Sequence, residues 1–440
     1  MRRVLIVPIL AVLLLAALPA ATQAGGSTPA FSTYAAPSSL GNSNNAGEPS
    51  IGVDPATDSA FFQAFASTYK INFPAGGSPT WQDVTAPQSV FNLDPILVTD
   101  RATGRTYAGG IGPACSLLQY TDDDGALWVQ EGNACALPAF DHESIGVGPW
   151  HGTAPLGALS NRAVYYCAQD GTDECSTSMD GGLTFGAPVS IPLCQSFHGH
   201  VKVSADGTAY VPSAYCGSRQ GGFSTNQNGK TWLSYTIPGS RTSPTGGGFD
   251  PSVATTPDNT LYEAWADGVD QHPWVGRSTT HGATWDRLTD LASTVSPAIT
   301  ASTFQAVVAG NDGSVAVAFL GSTTGTGSPF AAGYHGVWDL YVSFSYDGGL
   351  TWSTVKATSD PVQRGCIYDV SPSSGSCHRN LLDFMDASVT AGGAVVVAFA
   401  DGCVSSCLTT TTNDDQWSDA YATIAVQTGG TGLFGGPATP

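Results

Sequence analysis

Lysine is nearly absent from this sequence: among 440 residues it occurs only at Lys70, Lys202, Lys230 and Lys356. Lysine and arginine together number 15 against 35 acidic residues, which gives a formal net charge of -20. An anionic surface repels phosphate backbones, so we expect no nucleic-acid partner. Charged residues make up only 11% of the chain whereas 42% are hydrophobic, and that balance indicates a folded protein rather than a disordered one.

Several catalytic signatures are also absent. The sequence has no Gly-x-Ser-x-Gly elbow, no P-loop, no His-Glu-x-x-His zinc motif and no dinucleotide-binding fingerprint. After residue 24, no segment repeats apolar residues at the helical period of 3.6, and none is long and apolar enough to span a membrane. The mature chain is therefore predicted to be all-β, without a membrane span.

A signal peptide is predicted over residues 1–24. Arg2 and Arg3 precede an apolar run from Val4 to Leu18, and small residues lead to Ala24. A basic start, a short apolar stretch and a small-residue end are the three parts of a secretory signal. A retained membrane anchor is the alternative, although the run is short for a span. We expect a secreted protein, with attachment at the cell surface as a variant of that location.

The ten cysteines agree with export, because disulfides persist in oxidising compartments. No two of them form Cys-x-x-Cys, and no histidine lies at zinc-finger spacing, so structural zinc is the weaker alternative. Cysteines that follow one another along the chain can form disulfides that close short loops between neighbouring strands of an antiparallel meander. The predicted pairs are Cys115 with Cys135, Cys167 with Cys175, Cys194 with Cys216, Cys366 with Cys377, and Cys403 with Cys407.

One turn signature occurs five times, at intervals of roughly fifty residues. Each copy has a Ser or Thr, then Asp or a substitute, then Gly, and ends on Trp or Phe. The polar side chain caps the turn, the Gly supplies positive φ, and the aromatic ring packs beside the sheet. We expect the five rings in equivalent buried positions: Trp128, Phe185, Trp232, Trp285 and Trp352.

This signature resembles the Asp-box, or BNR repeat, of sialidase-like (neuraminidase-like) β-propellers. A second repeat supports the resemblance, because seven short β-hairpins recur along the chain and most of them precede a copy of the signature. Four strands per unit predict one propeller blade. We therefore predict an all-β fold, a single β-propeller of four-stranded antiparallel blades, with seven blades favoured and six, usual for sialidases, as the alternative. The first strands of the hairpins are 49–54, 95–98, 144–147, 201–204, 252–255, 306–309 and 387–390.

The domain organisation follows from these repeats. Residues 25–46 form an N-terminal segment that is a candidate for the ring-closing strand, residues 47–435 form the propeller, and residues 436–440 form a C-terminal tail. In a propeller the first strand of each blade lines the central channel, and the signature turns lie on the opposite face from the start of that strand. The signature turns are therefore predicted to be scaffold, and the starts of the inner strands are the candidate site.

Every predicted inner strand begins with a polar or ionisable residue. Three interpretations remain open: solvated polar residues at a wet channel mouth, paired carboxylates that act as acid and base on a glycosidic bond, or oxygen and imidazole ligands of a divalent cation. The catalytic candidates are Glu48, Asp94 and Asp250, and the metal-ligand candidates are His142, Glu143, His198, His200 and Asp386. The sequence specifies no cofactor, and Ca²⁺ or another divalent cation is the ion that such ligands suggest.

The resemblance to sialidases implies an arginine triad that holds the substrate carboxylate, an Asp acid/base and a Tyr–Glu nucleophile pair. This sequence lacks the Arg-Ile-Pro motif that carries the first arginine, and reads Gly47-Glu-Pro-Ser-Ile51 instead. The substrate-binding candidates on the loop-rich face are Arg219, Arg241, Arg364, Arg379, Trp274 and Trp338.

The predicted function is therefore a secreted propeller that binds or hydrolyses a glycan, with a carbohydrate or glycoconjugate as its partner. If the protein is an enzyme, the resemblance implies an exo-α-sialidase-like glycoside hydrolase. The alternative is a non-catalytic extracellular recognition or surface-structural module that a divalent cation stabilises.

Overall fold

Runs of β-branched and aromatic residues, separated by Gly- and Asp-rich turns, form antiparallel strands along the whole chain. The computed structural model describes residues 28–87, 93–111, 116–130, 141–169, 172–191, 194, 198–242, 250–331, 333–367, 377–410, 412 and 417–440. Within them, helix is confined to α1, Ser406–Thr409, and to a 3-10 turn, Ala292–Thr294. No helix in this part of the chain is long and apolar enough to cross a membrane.

The strands form seven sheets of four antiparallel strands, and each sheet is one blade of a β-propeller. This confirms the seven-bladed prediction, and the six-bladed alternative is wrong. The N-terminal strand is β1, Ala30–Ala35. The first blade contains β2 Ser50–Asp54, β3 Ser59–Ala64, β4 Ser67–Asn72 and β5 Thr80–Asp83, and the second contains β6 Leu93–Thr99, β7 Thr106–Ile111, β8 Ser116–Thr121 and β9 Val129–Gln130. The third blade contains β10 Asp141–Pro149, β11 Arg162–Gln169, β12 Asp173–Ser178 and β13 Val189–Ile191.

The remaining four blades repeat the same order, from the inner to the outer strand. A short extra strand, β26 Gln363–Arg364, pairs with the third strand of the sixth blade. The fourth blade contains β14 Lys202–Val203, β15 Ala209–Cys216, β16 Arg219–Thr225 and β17 Leu233–Thr236, and the fifth contains β18 Ser252–Thr255, β19 Leu261–Ala266, β20 Pro273–Ser278 and β21 Arg287–Asp290. The sixth blade contains β22 Ala301–Ala309, β23 Val315–Ser322, β24 Val337–Ser345 and β25 Ser353–Lys356. The seventh contains β27 Asp386–Val389, β28 Val395–Asp401, β29 Tyr421–Gly429 and, as its outer strand, β1.

The two ends of the chain meet in the seventh blade. Its outer strand is β1, which pairs antiparallel with β29 from Ala30 opposite Gly429 to Ala35 opposite Thr423. The chain after β29 folds back along the turns that join the inner two strands, where Gly393 pairs with Thr439. Strands from opposite ends of the sequence therefore hold the ring closed by backbone hydrogen bonds.

The core lies between neighbouring blades. Phe61 of the first blade is fully buried and packs with Leu97 and Ala108 of the second. Burying one such side chain contributes about 1.5–3 kcal/mol. Inner strands approach one another closely: a Cβ atom at Gly52 would lie 2.1 Å from Thr99 Oγ1, so only glycine fits there. This close approach brings the starts of the seven inner strands around one axis.

The five signature turns share one hydrogen-bonding pattern. In the second copy, Gly182 N donates to Ser178 Oγ at 2.8 Å and Thr184 N donates to Asp180 Oδ1 at 2.9 Å. The glycines at the same turn position have φ between 78° and 102°. The side chains thus satisfy backbone donors that the turn leaves unpaired.

The aromatic rings that end these turns are less buried than the sequence suggests. Trp232 is 7% exposed, but Trp128, Phe185, Trp285 and Trp352 are only half-buried, so the expectation of equivalent buried positions is wrong for four of the five. Each ring packs on one side against a cluster of buried residues, and its other side covers the turn at the rim of the sheet.

The signature turns also connect neighbouring blades. Gly181 O accepts a hydrogen bond from Arg105 Nη1 at 3.0 Å, and Gly348 O accepts one from Arg287 Nη1 at 2.9 Å. The turns follow the third strand of each blade, and they lie at the same end as the turns between its first two strands: Thr57 Oγ1 donates to Asp124 Oδ1 at 3.3 Å. They therefore stabilise the face opposite the starts of the inner strands.

Four of the five predicted disulfides are present. They join Cys167 to Cys175, Cys194 to Cys216, Cys366 to Cys377, and Cys403 to Cys407. Each links neighbouring strands or closes a short loop, as sequential pairing requires. The predicted pair of Cys115 with Cys135 lies outside the described residues.

The first prediction concerns the longest of these closures. Replacing both Cys194 and Cys216 by Ala should lower the free energy of unfolding by about 2–4 kcal/mol, because the cross-link restricts the unfolded chain. The matched control is the pair Cys403 and Cys407, whose sequence separation is 4 rather than 22 residues. Because a shorter loop loses less entropy when it closes, replacing this control pair should lower the free energy of unfolding by roughly 1.5 kcal/mol less. Urea unfolding followed by tryptophan fluorescence measures both, and equal losses would contradict the entropic account.

Candidate functional site

The inner strands begin with unusual backbone geometry. Glu48, Asp94 and His142 have φ angles of 56°, 49° and 51°, in the left-handed region that residues other than glycine rarely adopt. The pairing of β6 with β7 and of β10 with β11 shifts register at the same point, as a β-bulge does. A bulge redirects the side chains of the strand that contains it. The polar residues therefore come to the channel mouth through a repeated local distortion.

Eight ionisable residues form a connected group at this mouth, which we call the mouth cluster. They come from the starts of the first, second, third, fourth, fifth and seventh inner strands, and their charges act on one another. Most of them are at least nine-tenths buried. The mouth cluster consists of Glu48, Asp94, His142, His198, His200, Asp250, Asp383 and Asp386.

Glu48 is the acidic centre of the cluster. It is only 4% exposed, and its backbone N–H donates to the carbonyl oxygen of Leu381 at 3.3 Å. Burial raises the pKa of the Glu48 carboxyl well above its ordinary value, and the negative charges of Asp383 and Asp94 raise it further. The positive charges of Arg379 and His142 oppose this shift without cancelling it. This shift favours the protonated form of the Glu48 carboxyl, which can donate a hydrogen bond or a proton.

His142 and Asp250 form the closest pair in the cluster. His142 Nδ1 lies 3.0 Å from Asp250 Oδ1, and both side chains are more than nine-tenths buried. The ring of His142 also faces that of His198, with 6.2 Å between the ring centroids. Asp173, at the start of β12, feels both histidines: burial raises its pKa, and the charges of His198 and His142 lower it. Residues of the third, fourth and fifth blades thus meet around the imidazoles of His142 and His198.

Asp173 is a residue that the sequence analysis did not single out. It lies on a third strand, whereas the catalytic and metal-ligand candidates were taken from the starts of the first strands. The third strand of a blade begins at the same face, so a search of all strand starts on that face would have found it.

A second pair of a histidine and a carboxylate joins the fourth and seventh blades across the axis of the channel. His200 Nδ1 lies 3.9 Å from Asp386 Oδ2, and Ile51 N donates to the same oxygen at 3.3 Å. Burial lowers the pKa of His200 to about 4, although Asp386 opposes the shift. The imidazole of His200 is therefore neutral at physiological pH. The ring of Phe384 contacts it edge-on, with 4.5 Å between centroids, and fixes its orientation.

Glu143 does not join the mouth cluster. Its Oε2 accepts hydrogen bonds from Ser116 Oγ at 2.7 Å and from Tyr166 at 3.2 Å, between the second and third blades. Burial raises the pKa of Glu143 well above its ordinary value. Adjacent strand residues point in opposite directions, so His142 faces the mouth while Glu143 packs into the sheet.

No metal site is formed by the described residues. The candidate ligands His142, Glu143, His198, His200 and Asp386 contain no group of three that could hold an ion, and neither do other histidines, cysteines, aspartates or glutamates in the described part of the chain. The imidazoles pair with carboxylates instead. The mutual repulsion of the acids is relieved by histidine, by arginine and by the protonation of Glu48.

Two of the four candidate arginines are already neutralised. Arg241 lies 2.7 Å from Asp267 Oδ1 and also pairs with Asp270, and Arg379 pairs with Asp383. Arg219 begins β16 and is exposed, and Arg364 belongs to β26, so these two lie in strands rather than in loops. The four come from different blades.

The two candidate tryptophans differ. Trp338 is fully buried, and its Nε1 donates to Gly365 O at 2.8 Å, so it packs inside the sixth blade and cannot stack on a ligand. Trp274 is half-buried at the start of β20, directly opposite Trp265. Its ring is the one of the pair that reaches solvent on the candidate face.

Several buried polar atoms near the mouth lack a hydrogen-bond partner in the described structure. Those of the mouth cluster include Glu48 Oε2, His198 Nε2 and His200 Nε2. Glu143 Oε1 and Gln305 Oε1 share this property. An unsatisfied buried polar atom costs about 1–3 kcal/mol, so such a concentration marks a place where polar partners bind.

The similarities of this chain to known proteins are distant. No protein-family model matches this sequence. No curated protein matches it either. Solved structures with a similar course include a fungal lectin from Aleuria aurantia, a six-bladed propeller with a fucose recognition mode, at 12% identity and a TM-score of 0.44, over 70% of this chain and 95% of that one.

Two further solved structures are similar over more of the chain. A Hadza microbial sialidase shares 13% identity over 87% of this chain and 65% of its own, with a TM-score of 0.38. YCF48 bound to D1 peptide shares 12% identity over 90% of this chain and 94% of its own, with a TM-score of 0.48. At these identities and scores the likeness transfers neither activity nor ligand, so the function is argued from the site.

The second prediction tests the protonation of Glu48. Its pKa is higher in the folded than in the unfolded chain, so the stability contributed by the neutral form is present below pH 4.5 and is lost as the pH rises toward the folded pKa. Glu48→Gln keeps the neutral form at every pH. The variant should therefore gain stability relative to the wild type as the pH rises above 4.5, until the pH passes the raised pKa of folded Glu48.

Urea unfolding across this pH range measures the difference. The control is Glu174→Gln, because Glu174 is a half-buried glutamate on β12 that accepts a hydrogen bond from Ser190 and lies away from the cluster. Parallel pH profiles for Glu48→Gln and the wild type would show that Glu48 ionises normally.

Proposed function

We propose that the channel mouth is a carbohydrate-binding site of an extracellular β-propeller. The observation that carries the proposal is the set of unsatisfied buried atoms in the mouth cluster: Glu48 Oε2, His198 Nε2 and His200 Nε2. A ligand that supplies both donors and acceptors would satisfy them. A sugar does so, because every hydroxyl group donates one hydrogen bond and accepts others.

The protonation states of these residues match the hydroxyl groups of a sugar. The raised pKa of Glu48 favours its protonated form, which donates. His200 is neutral and its Nδ1 faces Asp386, so its Nε2 can accept. His198 Nδ1 lies 3.1 Å from Gly199 O, a carbonyl oxygen that only accepts, and this contact orients Nε2 of the same ring. The cluster thus offers a donor at Glu48, an acceptor at His200 and a third polar atom at His198, all fixed by their other contacts. Such preorganisation reduces the entropy lost on binding.

We favour a neutral sugar over a sialic acid. A sialic acid needs an arginine clamp for its carboxylate, and Arg241 and Arg379 already pair with aspartates of their own. The excess of carboxylates at the mouth would also repel an anionic sugar. The absence of Arg-Ile-Pro from the sequence supports the same choice. The half-buried ring of Trp274 is available on this face to stack on a sugar ring.

An extracellular location is part of the proposal. Four disulfides within the described residues require an oxidising compartment to form and persist. The predicted signal peptide, residues 1–24, lies outside the described residues. A net charge of -20 suits a protein that stays dissolved and does not adhere to anionic surfaces.

Hydrolysis of a glycosidic bond is the second candidate function, and Glu48 favours it. A protonated acid beside ionised carboxylates is the arrangement of glycosidases, in which one carboxyl protonates the leaving oxygen and another acts as base or nucleophile. Glu48 would be the acid, and Asp94 or Asp250 would be the second group. His142 would hold the Asp250 carboxylate in place through its 3.0 Å contact.

The third prediction concerns binding. The secreted, oxidised protein should bind neutral oligosaccharides on a glycan array and in calorimetry, with no preference for sialosides. His200→Gln removes an acceptor at the mouth and should weaken binding roughly three- to tenfold, the value of one hydrogen bond. His151→Gln is the control, because His151 lies between β10 and β11 on the opposite face. Equal affinities of the two variants, or a preference for sialosides, would place the ligand elsewhere.

The fourth prediction separates hydrolysis from binding. If the mouth is catalytic, a panel of fluorogenic neutral glycosides contains a substrate, and Glu48→Gln reduces its turnover by roughly 10²- to 10⁴-fold through loss of the general acid. Glu174→Gln should leave turnover unchanged, and a fluorogenic sialoside should not be cleaved. A protein that binds neutral glycans but cleaves none of the panel would exclude the hydrolytic candidate and leave the binding site standing.

A further inference from the structure

A second site lies at the other end of the central channel. The inner strands surround a cavity of about 500 Å³ that reaches the turns joining the first and second strands, on the face opposite the mouth cluster. Aliphatic side chains from successive blades form its wall, among them Ile51, Val98, Val147, Val253 and Val307. Its volume falls within the range of small-molecule sites, about 300–1,000 Å³.

The wall also contains an unneutralised cation, Lys202. Its side chain lines the cavity, is partly buried, and forms no ion pair with any described residue. The acid in the same wall, Asp100, is occupied: Arg162 Nε donates to its Oδ2 at 2.9 Å, and Thr103 Oγ1 donates to the same oxygen at 2.9 Å. No carboxylate of the described wall therefore remains for Lys202.

Arg101 adds a second positive charge at the same end. Its guanidinium donates to the carbonyl oxygen of Val389 and lies over the ring of Phe434, 5.4 Å from the centroid. Burial lowers the pKa of Arg101, whereas the negative charges of Asp58 and Asp54 raise it, so these two aspartates partly balance the charge of Arg101. Lys202 is the cation of this wall for which the described residues supply no ion-pair partner.

The other lysines show how unusual Lys202 is. Lys70 Nζ lies 2.8 Å from Asp124, and Lys356 Nζ lies 3.0 Å from Asp339. Lys230 is exposed to solvent on a signature turn. Lys202 alone among the four is placed against aliphatic walls without a counter-charge, although carboxylates are abundant in this protein. A partly desolvated ammonium group in such surroundings is stabilised by an anion that binds beside it.

We propose that this end of the channel binds a small organic carboxylate with an aliphatic or aromatic body. The carboxylate would pair with the ammonium group of Lys202, and the body would pack against the valine and isoleucine side chains. An inorganic anion would satisfy the charge but leave the aliphatic wall uncovered, and an uncharged apolar molecule would leave Lys202 unpaired. The site lies at the other end of the channel from the mouth cluster, although the charge of Lys202 acts on His200 and helps to lower its pKa.

Calorimetric titration with octanoate, acetate and octan-1-ol tests the two halves of this proposal. Octanoate should bind at least tenfold more tightly than either acetate or octan-1-ol, because only octanoate supplies both the charge and the apolar body. Acetate that binds as tightly as octanoate would reduce the site to a simple anion site and overturn the proposal. Octanol that binds as tightly would show that Lys202 plays no part, and no binding by octanoate would overturn the proposal outright.

Three variants locate the site. Lys202→Met keeps the length of the side chain without its charge and should weaken octanoate binding at least tenfold, whereas Lys230→Met should not change it. Ala254→Phe keeps Lys202 but narrows the channel, since Ala254 lines it, and should also weaken octanoate binding at least tenfold. Unchanged affinity in both Lys202→Met and Ala254→Phe would place octanoate on the outer surface. The glycan affinity of Ala254→Phe should match the wild type.

Discussion

The convergence of seven inner strands on one axis is the constraint on which the rest of this structure depends. It brings residues from distant parts of the sequence, such as Glu48 and Asp383, into one buried space where like charges raise each other's free energy. The protein relieves this repulsion in three ways: Asp250 pairs with His142, Asp383 pairs with Arg379, and the pKa of Glu48 rises, which favours its neutral form. The chemical character of the mouth follows from this relief, because it favours a proton donor at Glu48 beside other carboxyl groups.

The face that bears the signature turns, opposite the mouth, supplies many of the contacts that hold the ring together. Ser, Thr and Asp side chains of the signature turns accept hydrogen bonds from the backbone of their own turn. Carbonyl oxygens of these turns also accept hydrogen bonds from arginines of the preceding blade, as Gly181 does from Arg105. The terminal segments add β1 to the seventh blade and pair Thr439 with Gly393. Because this face supplies closure, the starts of the inner strands are free to adopt left-handed and bulged conformations that cost stability. Scaffold and site are thus divided between the two faces.

The two ends of the channel differ in character although the same strands line both. At the mouth, the starts of the inner strands present carboxylates and imidazoles with unsatisfied atoms, which suits a polyhydroxylated ligand. Further along, regular strand geometry presents valine and isoleucine, and Lys202 supplies a positive charge. Local distortions at the starts of several inner strands, such as those at Glu48, Asp94 and His142, separate the two surfaces.

The sequence by itself determined the repeat, and through it the all-β class, the seven blades and the pairs of cysteines near one another, because turns and hairpins are local in the chain. It also predicted which residues begin the inner strands. Only the tertiary structure decided which of them meet. Glu143 turned into the sheet and Trp338 into a blade, whereas Asp173 joined the histidines from a third strand. Lys202 lacks the Asp100 carboxylate as a partner because Arg162, 62 residues away, occupies it. Side-chain partners and burial are non-local, so no pattern along one strand specifies them.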